Sequence, residues 1–172
     1  MANKQALREL QSRLAERLQA ARTRVQGQSW LAVECSGRGF LLPLREAGEI
    51  FAMSAILPVP YSHAWFLGVA NLRGHLHGVV DLAAFLGVKS GDVAREHSRL
   101  VGFNQALEIN CVLLVDRLAG LRSDAELTLQ TDPPGARPAF VGTCWSDSAG
   151  RQWQELVLAE LAHDDAFLKI LG

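Results

Sequence analysis

Apolar residues recur at two different periods along this chain, and the change falls near residue 28. Leu7, Leu10, Leu14, Leu18, Ala21 and Val25 are spaced by threes and fours, the stripe of an amphipathic helix over residues 1–27. Asn3 is placed to cap its start, Glu9 and Arg13 to pair on its polar face, and Gly27 to end it. Such a helix either packs on its own domain or docks on a partner. From Ser29 onward the pattern is one of short strands. Residues 29–35 (SWLAVEC) and 40–44 flank the tight Ser36-Gly37-Arg38-Gly39, a hairpin signature. Further strands are expected at 49–53, 56–59, 68–72, 75–80, 98–104, 108–115, 126–130, 139–145 and 152–158. Short helices are expected at 81–86, closed by Gly87, and at 159–171, which His163-Asp164-Asp165 can break in two. The segment TDPPGARP (131–138) must be a loop. Many short strands separated by turns predict a mainly β chain built of small barrels rather than a βαβ sheet.

Composition narrows the function. The chain has 172 residues, about half of them apolar, enough for one ordinary domain or two small subdomains. Seventeen basic residues stand against 18 acidic ones, so the net charge of −1 offers nothing to a nucleic acid. The balance is local, however. Residues 1–25 carry six basic groups and two acidic ones, a net of +4, which leaves −5 for the remaining 147 residues. The N-terminal segment has no continuous apolar core and reads as no signal peptide. No apolar run approaches the roughly 20 residues that span a bilayer. A cytoplasmic protein is expected, without direct membrane insertion and reaching membranes only through a partner.

Enzyme signatures are missing from the sequence. Cys35, Cys111 and Cys144 are odd in number and widely spaced, which fits reduced, buried thiols better than a disulfide framework or zinc site. His75 and His77 alternate and share one strand face, but no third ligand accompanies them. Gly37 and Gly39 begin a dinucleotide fingerprint that fails at Leu42, and no phosphate loop or nucleophile elbow occurs. Asp81, at a helix start, is better placed to cap free N–H groups than to catalyse. No catalytic residue, metal or cofactor is expected.

The informative stretch is 40–87, FLLPLREAGEIFAMSAILPVPYSHAWFLGVANLRGHLHGVVDLAAFLG. It contains Glu49-Ile50, Leu57-Pro58-Val59-Pro60, Trp65-Phe66-Leu67-Gly68-Val69, Asn71-Leu72-Arg73-Gly74, Val79-Val80-Asp81-Leu82 and Phe85-Leu86-Gly87. That ordered series resembles the CheW family of chemotaxis coupling proteins. Val112–Asp116 with Leu118-Ala119-Gly120-Leu121, Phe140-Val141-Gly142, and residues 156–161 look like the family's second half. The resemblance implies two intertwined, SH3-like, five-stranded β-barrel subdomains over residues 28–172, with the N-terminal helix added. It implies a non-enzymatic adaptor that couples the cytoplasmic tip of methyl-accepting chemoreceptors to the CheW-like regulatory domain of a CheA-type histidine kinase. The long N-terminal helix leans toward the type IV pilus (PilI-like) branch, which controls twitching motility. Glu49, Gly68, Val69, Asn71, Leu72, Arg73 and Gly74 are the implied receptor-binding residues, and the kinase-binding residues stay unassigned. A small-barrel ligand- or nucleic-acid-binding module is the rival reading, disfavoured by neutral charge and a single tyrosine.

Physical roles follow without the resemblance. Pro58 and Pro60 lack donors and confine 56–60 to an edge or turn. Trp65, Phe66 and Leu67 cannot all face inward on a strand, so a turn there either seals the core or presents an apolar contact. Arg73 is an isolated charge among apolar residues, suited to a bidentate carboxylate contact at an interface, or else a solubilising group; the resemblance implies Glu49 as its partner.

Overall fold

Strand β1 (Ser29–Cys35) is apolar on both faces, and its two faces serve two different cores. Successive side chains of a strand point to opposite sides. Trp30 and Ala32 therefore pack with Leu41, Leu127 and Trp153 in one small core. Leu31, Val33 and Cys35 turn the other way, into a larger core with Leu42, Leu113, Leu156 and Leu158. Strand β7 (Cys111–Val115) divides in the same manner. Val112 and Leu114 face a third cluster with Ala70, Leu72, Val79 and Leu100, while Cys111, Leu113 and Val115 face the larger core. The run CVLLV is continuous rather than alternating because both its faces are covered.

The structure is a computed structural model and describes residues 2–25, 27–91 and 95–172. Met1 and Gln26, which the sequence assigns to the N-terminal segment, lie outside the described residues. Helix α1 (Ala2–Val25) is followed by β1 and β2 (Arg38–Pro43). Next come β3 (Ala47–Ala52), β4 (Phe66–Leu72), β5 (His75–Asp81), α2 (Leu82–Phe85), β6 (Arg99–Phe103) and β7. The chain closes with β8 (Arg117–Ser123), β9 (Thr128–Leu129), β10 (Val141–Ser146), β11 (Gln152–Leu156), α3 (Leu158–Leu161) and α4 (Asp165–Leu168). One sheet has the order β3-β6-β7-β5-β4, the other β8-β1-β2-β11-β10-β9. The first hairpin, β1–β2, thus belongs with the last strands, and β2 pairs in parallel with β11. This exchange makes the two halves interdependent, as the intertwined reading requires.

Several expectations need correction. The second sheet has six strands rather than five, because the two-residue β9 is added beside β10. Residues 56–59 form no strand. With two prolines nearby, only Leu57 bridges, exchanging both backbone bonds with Val69 at 2.8 and 2.9 Å. Residues 118–121, outside the strands expected from the sequence, lie within β8. Gly120, with φ of +87°, fits where β8 bulges against Leu31 and Val33 of β1. Asn3 lies inside α1 rather than at its cap, and Glu9 and Arg13 are not among the ion pairs of the described residues.

Three local readings hold. Asp81 caps α2, its carboxylate accepting from Ala84 N at 3.2 Å and from Lys89 Nζ at 2.8 Å. The C-terminal helix breaks at 163–165, where Asp164 caps α4 through Phe167 N at 2.9 Å. Trp65 sits in the turn before β4 and seals the core from the side. It is half-buried, edge-on to Phe85 at 5.0 Å and stacked on Phe167 at 6.2 Å.

Candidate partner-binding site

Strands β4 and β5 form a hairpin whose register pairs Leu72 with His75, leaving Arg73-Gly74 as a two-residue loop. Both loop residues have positive φ, 51° at Arg73 and 82° at Gly74, as a type I′ turn requires. Asn71 holds the turn, its Oδ1 accepting from Gly74 N at 3.0 Å. Glycine adopts this conformation freely, whereas an arginine in it is uncommon and strained. The strain presents the Arg73 side chain, 73% exposed, at the outermost point of the hairpin.

Arg73 does not point into empty solvent. Its guanidinium pairs with the Glu49 carboxylate, which is 44% exposed, and lies 5.8 Å above the ring of Phe51. Glu49 and Phe51 are two apart on β3 and share a face. The pair joins the two ends of the five-stranded sheet, since β3 and β4 are its outer strands. His77 of β5 packs on Phe51 at 5.8 Å, and its Nδ1 lies 3.1 Å from the His75 carbonyl. Beside these residues runs a groove of about 560 Å³, bordered by Glu49, Phe51, Arg73, His75, His77 and Glu108. Such a surface offers a fixed positive fork, a carboxylate and a half-buried aromatic, a suitable set for gripping a protein segment.

The seven implied site residues separate into two groups. Glu49, Asn71, Arg73 and Gly74 are exposed together around the hairpin tip. Leu72 is inside the small barrel core and Gly68 is buried. A Cβ at Gly68, whose φ is +134°, would overlap the Leu57 carbonyl, so glycine there lets residue 57 cross β4. Val69 forms that crossing bridge and packs on the large core. Of these three, Leu72 borders the groove, and Gly68 and Val69 do not. Phe51 was not singled out in the sequence, and His77 only as half of an incomplete metal-ligand pair with His75. The period-2 alternation from Glu49 to Phe51 and from His75 to His77 carried the signal.

Other titratable groups stand away from this tip. Burial pushes the Cys35 and Cys111 thiols up to about 12, so both remain protonated. Glu34 accepts two bonds from Arg117, at 2.8 and 3.0 Å, and one from Arg151 at 2.5 Å. The Arg117 contact above all lowers its carboxyl, against the opposing effect of burial. No group of three or more His, Cys, Asp or Glu arranged to hold a metal occurs among the described residues. No helix among them is long and apolar enough to cross a membrane.

The CheW-like domain, as a family, matches residues 29–166, which spans both sheets and the hairpin tip. The chain belongs to the CheW-like domain family. Among relatives of this CheW-like chain, protein PilI of Pseudomonas aeruginosa is 33% identical over 110 residues, covering 64% of the chain and 61% of PilI. The chemotaxis protein CheW of Rhizobium meliloti is 27% identical over 107 residues, 62% of the chain and 68% of that protein. The chain thus spans less than two thirds of PilI. The scaffolding protein TtCheW from Thermoanaerobacter tengcongensis superposes with a TM-score of 0.61 at 15% identity, over 76% of the chain and 89% of TtCheW. That likeness establishes the CheW fold here. Helix α1 lies outside the matched residues.

Proposed function

We propose that this CheW-like protein is a cytoplasmic, non-enzymatic adaptor that couples methyl-accepting chemoreceptors to a CheA-type histidine kinase. Residues 28–172 form the coupling unit, and residues 1–27 are an appended helix. One observation carries the reading: a strained arginine, Arg73, is held at a hairpin tip, joined to Glu49 across the sheet, with Phe51 beneath it. Catalysis needs a nucleophile or base placed against a reacting group. This tip instead supplies a rigid, charged, partly apolar contact. Two relatives, a chemotaxis protein CheW and PilI, agree with a chemosensory role, and the PilI likeness supports an output to type IV pilus twitching motility. The receptor tip is assigned to the surface around Glu49, Asn71, Arg73 and Gly74, with Gly68, Val69 and Leu72 supporting it. The test is reconstitution with a receptor cytoplasmic fragment and the kinase. Arg73→Ala should fold normally and bind the receptor fragment about thirtyfold more weakly, the loss expected on truncating an interface anchor. Unchanged receptor binding by a folded variant moves the receptor surface elsewhere.

A further inference from the structure

Helix α1 carries an apolar stripe in its sequence, of which Leu10 and Leu14 are left uncovered by the rest of the chain. Leu10 is 57% and Leu14 53% exposed, and every residue from Arg8 to Arg17 is exposed. A lone helix of this kind gains little stability from its own backbone and relies on burial of its apolar side. By helical spacing of about 100° per residue, the six stripe positions fall within about 80°, a seam rather than a broad face. Arg13 and Arg17 each follow an exposed leucine by three residues and so stand at the seam's border. The same spacing sets Arg8 toward the other side and Glu9 and Glu16 far from the seam.

We infer that α1 is a docking helix whose occupant is an amphipathic helix of a partner protein, with an apolar seam bordered by Asp and Glu. Charge selects this occupant. Residues 1–25 carry a net +4, five of the six basic residues being arginine, whose fork fits carboxylates. A second copy of α1 would set basic borders against basic borders, which repel. An anionic lipid surface would also attract the charge, but lipid-lying helices present a wide apolar face, commonly with aromatic anchors. Residues 1–25 contain no Trp, Tyr or Phe. A narrow seam with charged borders is instead the arrangement of paired helices.

The test uses the full chain and two synthetic helical peptides with identical leucine seams, one bordered by Glu and one by Lys. The parent should bind the Glu-bordered peptide at least tenfold more tightly. The double variant Arg13→Glu, Arg17→Glu should reverse that preference. The double variant Leu10→Gln, Leu14→Gln, which retains helix propensity, should lose at least tenfold toward the Glu-bordered peptide. Circular dichroism and melting should show helix and body intact in both variants. Equal binding of the two peptides, or no binding of either, overturns the inference. So does preferential partition onto phosphatidylglycerol vesicles, or concentration-dependent self-association in the ultracentrifuge that Leu10→Gln, Leu14→Gln abolishes.

Discussion

At Arg73 the backbone and the side chain make opposite demands. A left-handed φ of 51° favours glycine, yet arginine stands there, paired with Glu49 on an exposed surface. Exposed pairs contribute at most about 1 kcal/mol, so folding stability does not account for the residue. Arg73→Gly should therefore melt at or slightly above the parent temperature, since glycine relieves the strain, while still losing receptor binding. A fall in melting temperature beyond about 4 °C, roughly 1 kcal/mol or more for a chain of this size, would make Arg73 structural instead. Glu155 poses the reverse case. It is buried, bonded to Trp30 Nε1 at 2.6 Å, and burial raises its carboxyl above the ordinary range. A raised folded value means the native state holds the proton more tightly, so this residue's contribution is greatest in acid and is lost as pH rises through the folded value. Glu155→Gln, which keeps an acceptor for Trp30, should be more stable than the parent at pH 7, with the gap closing toward pH 4. A gap that widens in acid contradicts this assignment. Glu34 has the opposite sign: its lowered carboxyl adds stability at neutral pH that fades as acid protonates it.

At the scale of elements, the β4–β5 hairpin distinguishes two kinds of glycine. A Cβ at Gly74 meets no atom within 4 Å and adds only the strain of positive φ, whereas one at Gly68 overlaps the Leu57 backbone. Gly74→Ala should cost about 1 kcal/mol and Gly68→Ala several times more, read from chemical denaturation. Equal costs would mean that residue 57 does not cross β4 as described. Most strands were legible because their alternation or continuous apolar runs matched burial on one face or two. What was not legible depended on backbone pairing. Residues 56–59 have strand-like side chains, but prolines leave a single bridge. The Gly120 position looks like a turn in the sequence, yet a bulge lets β8 pass through it. Strand β9 is two residues long and exists only because β10 offers an edge.

For the whole molecule, the decisive feature is one core shared by two sheets, on which β1 and β7 both place alternate residues. Leu42 reaches that core from the six-stranded sheet and Leu113 from the five-stranded one, and both are fully buried. Leu42→Ala and Leu113→Ala should each cost about 2–5 kcal/mol and lower a single cooperative transition. Separate transitions for the two halves would contradict the shared core. The overall architecture was legible through an ordered series of short motifs more than through any one element. The same motifs exposed the Glu49–Arg73 pairing. They could not separate Leu72 and Gly68, which are buried, from Asn71 and Arg73, which stand on the tip. Burial in a twisted, closed sheet depends on strands distant in sequence.

The most direct measurement of the adaptor reading is sedimentation velocity of a receptor cytoplasmic fragment and the CheA-type kinase, with and without this protein. The account predicts one complex containing all three when the protein is present, and little joint sedimentation of receptor and kinase without it. A protein that sediments with neither, or with only one of the two, contradicts it.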